Sequence, residues 1–467
     1  MGTCSTVRRY IQDKGCRACC FVSCCLILGI LAGMAVLIEG TAQAITLEKC
    51  IEQSLIESPD IEAAAQKSEA AMAMMKKARA AYYPWVTLSA AYARTDNPPQ
   101  AFMMQLNQRE LDMRDPAFDP NNPDDTNNVR MSLGVKYRVY DFGRRRLDYA
   151  MAGSGSDVAC LQLSAVLNEL IHQISASFFG VLQAQAFVLV QQESVASLQE
   201  SLRVANERYQ AGSAVKTDVL NLEVQLSQSA EDLIRARNSV LLAVAALNTA
   251  IGKDLAGGPE DLDYTIPEVS PALPPEEIDR VEDRPELKIV EILSQIRQME
   301  LSKAKRAYTP TVNAFGSLDQ DGETFSDTED SYLVGANVEW DLFTGFSRKN
   351  SVSQARANLA SAQADVRKTR NQLRLDLKQA YLKAVDARQR LEVTRKSLES
   401  AKESLRITQE RYKGQAADIT ELLTAQVGLT VTQSRGVSAY YEYLTELSNL
   451  KRAKGLLVSG YTPCTRE

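Results

Sequence analysis

Residues equipped for chemistry are few in this chain. A single imidazole, His172, falls in the middle of a helical stretch, so no second histidine completes a Ser-His-Asp relay or an ordinary zinc site. A histidine so placed is a packing or surface residue. Asp141-Phe142-Gly143 matches a magnesium-binding triplet of kinases, but no glycine-rich loop or catalytic-loop motif accompanies it, and it reads as a turn. There is no P-loop and no dinucleotide fingerprint. Six of the nine cysteines (Cys4, Cys16, Cys19, Cys20, Cys24, Cys25) fall in an N-terminal export segment. The other three, Cys50, Cys160 and Cys464, form no C-x-x-C pair, which argues against a metal knuckle or a redox site. The expectation is a protein that is not an enzyme and has no cofactor and no metal site.

What stands out instead is a repeated turn. Tyr209–Asp218 (YQAGSAVKTD) and Tyr412–Glu421 (YKGQAADITE) each break a long heptad-patterned run and start another, so each should fold one helix back on the next. They lie 203 positions apart, and the same offset carries Arg145 onto Arg348, Leu226 onto Leu429, Leu247 onto Leu450 and Gly252 onto Gly455. A constant offset over so long a stretch means one structural unit present twice. Upstream the offset is 226, taking Pro59 onto Pro285 and Pro84 onto Pro310, so the first copy has a connection 23 residues longer.

The expected organisation is an export signal over residues 1–44, a first repeat over 45–252, an acidic Pro-rich linker over 253–284, a second repeat over 285–455 and a tail over 456–467. Arg8, Arg9, Lys14 and Arg17 precede the apolar run Phe21–Ile38, and Ala42-Gln43-Ala44 supplies an A-x-A cleavage site, which favours removal over a retained anchor. Removal takes four basic and two acidic residues from totals of 53 and 59, leaving a net charge of −8. That charge argues against nucleic acid as a partner.

Heptad stripes predict the helices. Leu167, Ile174, Val181, Val188, Val195, Leu202 and Tyr209 stand seven apart, as do Leu377, Ala384, Leu391, Leu398, Leu405 and Tyr412. The return helices carry Val219, Leu226, Leu233, Val240 and Leu247, echoed by Leu422, Leu429, Tyr443 and Leu450. Four stretches have period two instead: Val86–Tyr92, Met131–Val139, Val312–Leu318 and Val334–Leu342. These are strands of about nine residues, the length that crosses a bilayer when tilted. Residues 95–129 between the first pair should be a long exposed loop, and DQDGETFSDTED between the second pair an acidic one.

A soluble half-buried sheet would alternate equally well. Strand length and the only two tryptophans, Trp85 and Trp340, each at a strand end next to a helix, favour a membrane, with Trp85, Tyr137 and Trp340 as an aromatic girdle. Lys136, Arg138, Glu339 and Asp341 then face water and should pair across a lumen. Four strands cannot close a barrel in lipid, so the chain must oligomerise.

The duplicated frame of strands and helical hairpin carries Arg208-Tyr209-x-x-Gly212, Thr217-Asp218-Val219-Leu220 and Leu247-Asn248-x-x-x-Gly252. On these residues the chain resembles the TolC-type outer membrane efflux proteins over residues 45–455. The resemblance implies a mainly α fold with a small membrane β part, assembled as a homotrimer with a twelve-stranded β-barrel and a long α-helical coiled-coil barrel in the periplasm. It implies a passive exit duct of a tripartite efflux or type I secretion system in the outer membrane of a Gram-negative bacterium, meeting outer membrane lipid, a periplasmic adaptor protein and an inner-membrane pump. Family position makes Asp218, Glu421 and Tyr412 a periplasmic gate, and Arg208, Tyr209, Gly212, Thr217, Arg411 and Gly414 adaptor-docking tips. Two positions depart from the pattern: Ala417 replaces a basic latch residue, and Thr424, with Asn221 as its repeat mate, replaces a second acidic ring. A weaker or apolar latch is expected. The alternatives are a periplasmic adaptor, which carries one hairpin among small β domains, and a structural coiled-coil surface protein, which needs no amphipathic strands.

Overall fold

The computed structural model describes residues 46–114, 119–253 and 281–457. The expected signal over 1–44, all but the ends of the linker over 253–284, and the tail beyond residue 457 lie outside the described residues. The chain divides into two compact units that are not the two repeats. One comprises residues up to Gln66, Cys160–Lys288 and those from Lys368 onward, and the other comprises Lys67–Ala159 and Ile289–Arg367. Each unit therefore draws on both copies of the duplication.

The second unit holds one antiparallel sheet in the order β1-β2-β3-β4: β1 (Trp85–Thr95), β2 (Thr126–Tyr140), β3 (Thr311–Thr324) and β4 (Asp327–Glu339). Its register sorts side chains by chemistry. Leu88, Leu133, Leu318 and Tyr332 form one continuous rung, and Val86, Val135, Gly316 and Val334 form the next on the same face. The opposite face has Ser89, Ser132, Asp319 and Ser331 in line. A one-residue slip in any pair would mix the two faces, so this pattern fixes the register. The apolar face is bare: Val86, Leu88, Leu133, Leu318, Tyr332 and Val334 are all exposed.

Four expectations for this unit change. The strands run 11 to 15 residues rather than nine. The acidic stretch after Leu318 is mostly ladder, with Asp321 opposite Glu329 and Thr324 opposite Asp327 around a two-residue turn at Phe325-Ser326. Alternation vanishes there because neither face is asked to be apolar, while backbone pairing continues. Conversely β4 stops at Glu339, so Trp340, Asp341 and Leu342 lie beyond it. The described parts of the 95–129 segment are folded rather than merely exposed. Helices α1 (Leu47–Glu57) and α2 (Pro59–Arg79) precede β1, and Pro98 and Pro99 open a third helix, α3 (Pro98–Asn107), within that segment. The buried amide of Gln108 then donates to Asn127 O at 2.7 Å and Asn128 Oδ1 at 2.9 Å, and Asn128 Nδ2 donates to Asp321 Oδ1 at 2.8 Å.

The first unit is helical. Helices α4 (Arg144–Gln210) and α5 (Lys216–Ile251) make one hairpin; after α6 (Pro285–Arg306), helices α7 (Ser347–Lys413) and α8 (Ile419–Ala453) make the other. Both α4 and α7 have 67 residues and pass through both units. At 1.5 Å per residue each is about 100 Å long. The apolar stretch of α4 is long enough to cross a membrane, but it is a core: Leu170, Ile174, Phe178, Val181 and Leu182 pack with Val244 and Leu247 of α5 and Tyr441 and Leu444 of α8. A second apolar cluster near the tips joins Leu198 and Ala205 to Val219, Leu222, Leu405, Tyr412, Ile419 and Leu422. Here the predicted stripe of α4 shifts. Leu167, Ile174 and Val181 are buried, whereas Val195 and Leu202 are only half-buried and Leu198 and Ala205 take their place. The helix changes partners between the two clusters, and its buried face turns with them.

Helix ends are fixed locally. Gly252 ends α5 at φ +91°, and a Cβ there would stand 2.7 Å from Glu57 O at the end of α1, so glycine is required for conformation and for space. Cys50 is free and buried, and burial pushes its thiol up to about 11. Cys160, for which the sequence offers no C-x-x-C partner, is disulfide-bonded.

Arg284 secures the last described residues of the linker. Its buried guanidinium donates to Glu286 at 2.8 Å, Asp376 of α7 at 3.0 Å and the Ala453 carbonyl of α8 at 3.0 Å, and Arg452 binds the same Asp376 at 3.1 Å. Removing one member of such a buried set leaves the others uncompensated and costs about 3–5 kcal/mol. Arg284→Ala should therefore destabilise the purified protein by that amount in chemical denaturation, whereas Asp283→Ala, at an exposed carboxylate, should change it little.

Candidate functional site

The two hairpin tips carry the residues that sequence singles out. The first turns at Gly212, φ +75°. Its repeat mate is not Gly414 but Gln415, which holds φ +62° with a side chain in place, so Gly414 is not the left-handed residue of its tip. Asp218 lies in the first turn of α5. Glu421 lies in the first turn of α8, where its backbone N–H donates to the N-cap Asp418 Oδ1 at 2.7 Å. Both acids thus meet the positive end of a helix. The Glu421 carboxylate also pairs with Arg411 Nη1 at 2.9 Å, both side chains about half exposed, and Arg411 Nη2 donates to the Ala416 carbonyl at 2.8 Å.

The contact joining the tips is one that spacing does not reveal. Arg208 donates from Nη1 to the Tyr412 carbonyl at 2.8 Å and lies over the Tyr412 ring, 4.7 Å from its centroid. Tyr412 is buried in the tip cluster, and burial raises its hydroxyl above the usual tyrosine range, with Arg208 opposing that shift and Asp218 adding to it. Ala417 packs against the same cluster, so the position of the absent basic latch residue is part of an apolar seat. The sequence shows the two partners as repeated Arg-Tyr pairs, but their cross-pairing follows only once the hairpins lie side by side. Tyr209, Thr217, Arg411 and Gly414 are exposed.

Above the tips, α4 runs along α8 through a polar layer. Ser197 Oγ donates to Gln426 Oε1 at 2.7 Å, and Ser194 Oγ lies 3.1 Å from Ser229 Oγ and 3.3 Å from Thr430 Oγ1. Polar residues at such a seam set register at some cost in stability. Beside it the four helices enclose a groove of about 870 Å³, lined by Gln191, Gln225, Gln228, Gln389 and the ion pair of Arg390 with Glu442. Phe187, Leu198, Val393 and Val427 also line it, so its character is mixed, and it holds no arrangement for bond chemistry. His172 Nδ1 lies 3.1 Å from Ser448 Oγ, and burial, aided by Arg452, lowers its pKa below the ordinary 6.5, consistent with packing.

In the sheet, Lys136 and Arg138 stand on the face of Ser132, and Glu339 shares that face through Asn313 and Asn337. All are exposed, and among the described residues no ion pair joins Lys136 or Arg138 to Glu339 or Asp341, because β3 separates β2 from β4. Trp85 is opposite Lys136, on the polar face. Trp340 donates from Nε1 to the Tyr308 carbonyl at 3.0 Å, and Tyr137 lies under Arg145. Arg145 and Arg348, visible in the sequence only as repeat mates, tie each strand to its helix. Arg145 reaches the Ala81 and Val139 carbonyls and the Tyr82 ring; Arg348 reaches the Ala307 and Asp341 carbonyls and the Tyr308 ring.

An open-edged sheet with one bare apolar face stands in one chain with two long helical hairpins. A sequence model of the outer membrane efflux protein family matches residues 50–253 and 281–456, and the chain belongs to that family. Among curated relatives it is similar to Protein CyaE of Bordetella pertussis, 23% identical over 436 residues that cover 88% of this chain and 84% of the relative. It is likewise similar to outer membrane protein TolC of Vibrio cholerae, 22% identical over 428 residues that cover 88% and 91%. Among solved structures it shares the fold of the outer-membrane channel OprN, with a TM-score of 0.76 at 18% identity, covering 89% of this chain and 91% of that one.

A left-handed conformation costs a residue with a Cβ about 1–2 kcal/mol, and glycine recovers this less about 0.5–1 kcal/mol of chain entropy. Gln415→Gly should therefore raise stability by about 1 kcal/mol or less in chemical denaturation, and Gly212→Ala, whose Cβ meets nothing within 4 Å, should lower it through the backbone alone.

Proposed function

We propose that the chain is the outer membrane exit duct of a tripartite efflux or type I secretion assembly. The observation that carries this is the four-stranded sheet with two free edges and one uncovered apolar face. In hydrocarbon every backbone N–H and C=O needs a partner, so the edges of β1 and β4 must meet other copies until the sheet closes. Three copies give a barrel of about twelve strands, within the range of closed bacterial barrels. The rung of Leu88, Leu133, Leu318 and Tyr332 then meets lipid, and Lys136, Arg138 and Glu339 meet the aqueous lumen. Tyr137 and Trp340 form the aromatic belt at the helical end, and Trp85 falls to the lumen side. Lys136 and Arg138 of one copy face Glu339 and Asp341 of another.

The hairpins form the periplasmic extension. Asp218, Glu421 and Tyr412 narrow its mouth, and the exposed Tyr209, Gly212, Thr217, Arg411 and Gly414 offer the tips to a periplasmic adaptor that links the duct to an inner-membrane pump. The closed state is held by the apolar tip cluster with Arg208 over Tyr412 rather than by a ring of salt bridges. A periplasmic adaptor or a coiled-coil surface protein would have no use for a sheet with a bare apolar face.

In planar lipid bilayers the purified protein should form discrete conductance steps. Glu421→Ala should raise the conductance of the closed channel or change its block by divalent cations; an unchanged channel removes Glu421 from the gate, and the absence of any conductance removes the duct itself.

A further inference from the structure

One rung on the polar face of the sheet departs from its neighbours. Trp85, Lys136, Phe315 and Gly335 are cross-strand partners in one line, and Leu333 stands on the same face diagonal to Phe315. Away from the helices that face continues with Ser89, Ser132, Asp319 and Ser331, and toward them with Arg138, Asn313 and Asn337. Trp85 is 71% exposed, Leu333 57% and Phe315 36%. Large apolar groups bared to water on an otherwise polar wall mark a contact surface.

Two features fit this rung to a ligand. A Cβ at Gly335 would stand 2.7 Å from Phe315 Cζ, so the phenyl ring takes the space that any other residue at 335 would fill, and the ring is laid along the wall. Lys136, between the two aromatic residues, is exposed and has no carboxylate partner among the described residues. On this face the next acid along β3, Asp319, lies four residues from Phe315, about 14 Å away at strand spacing, and is held by Arg130 at 3.1 Å. The next acid along β4, Glu339, is equally far from Gly335, and Arg138 is one rung nearer to it than Lys136 is. Aromatic faces alone attract cations. An ammonium set between them without a counter-ion reverses that preference.

We infer that this rung is a binding site for flat anionic solutes, aromatic carboxylates or sulfonates, whose ring stacks on Trp85 and Phe315 while the charge meets Lys136. The inference rests on the channel reading above, which puts this face in the lumen, and it adds a class of solute that the wall retains. Three copies would carry the site three times at one level of the barrel. An open, weak site suits a duct, because a solute held tightly would not leave.

The test is quenching of Trp85 fluorescence in the full-length protein carrying Trp340→Phe, which leaves Trp85 as the one tryptophan. The quenchers are 4-nitrobenzoate and 4-nitrobenzylammonium, which share a ring and differ in charge. The anion should quench about fivefold more strongly than the cation, the factor that one exposed charge at contact distance supplies. Lys136→Gln should abolish that preference and Lys136→Arg should keep it, with quenching by neutral acrylamide unchanged in both. Phe315→Leu should weaken quenching by nitrobenzoate about threefold, as loss of one aromatic contact does. If Trp340→Phe impairs folding, the difference between the unsubstituted chain and Trp85→Phe isolates the same signal. Equal quenching by the two ions, or nitrobenzoate quenching that either Lys136→Gln or Phe315→Leu leaves unweakened, would overturn the inference, while conductance of the same protein in planar bilayers would leave the channel reading standing. An unsubstituted chain that gives no conductance would overturn both.

Discussion

Backbone hydrogen bonding in hydrocarbon is the constraint on which the rest of this structure depends. The sheet ends at β1 on one side and at β4 on the other, and lipid offers nothing to the N–H and C=O groups along those edges. Each edge must be completed by another strand, which makes assembly a condition of membrane residence rather than a later refinement. Once copies are required, the remaining features fall into place. The sheet sorts apolar and polar rungs onto opposite faces.

The duplicated sequence has halves that have diverged. In α4 the middle is apolar enough to make the main core, while its counterpart α7 is studded with arginine and lysine. At the tips one tyrosine is seated under an arginine and the other is left in water. The polar layer of Ser194, Ser197, Gln426 and Thr430 separates the main core from the tip cluster.

Much of the fold is legible because it is periodic. The heptads ending at Tyr209 and Tyr412 mark helices that end at Gln210 and Lys413, and the alternation around Met131–Val139 and Val312–Leu318 marks real strands. Legibility stops where burial stops imposing a pattern. The acidic ladder beyond Leu318 has no apolar side, so its sequence looks like loop, and Pro98-Pro99 looks like a breaker although proline also opens helices. Of the candidate site, residue positions are readable and partners are not. Arg208 over Tyr412 and Arg284 between Asp376 and the Ala453 carbonyl join residues far apart in the chain, and neither spacing nor composition encodes such meetings. Residue type alone favours Gly414 as the turning point of the second tip, whereas the offset of 203 from Gly212 points to Gln415.

The central claim is that the sheet has one face in lipid and the other in water. Single cysteines at Leu88, Leu133 and Tyr332, and at their neighbours Ser89, Ser132 and Ser331, can be labelled with a fluorophore in reconstituted vesicles and challenged with brominated lipid and with a charged aqueous quencher. The account predicts strict alternation, with the first three quenched by lipid and the second three by the aqueous reagent. Equal aqueous quenching of both sets would contradict it.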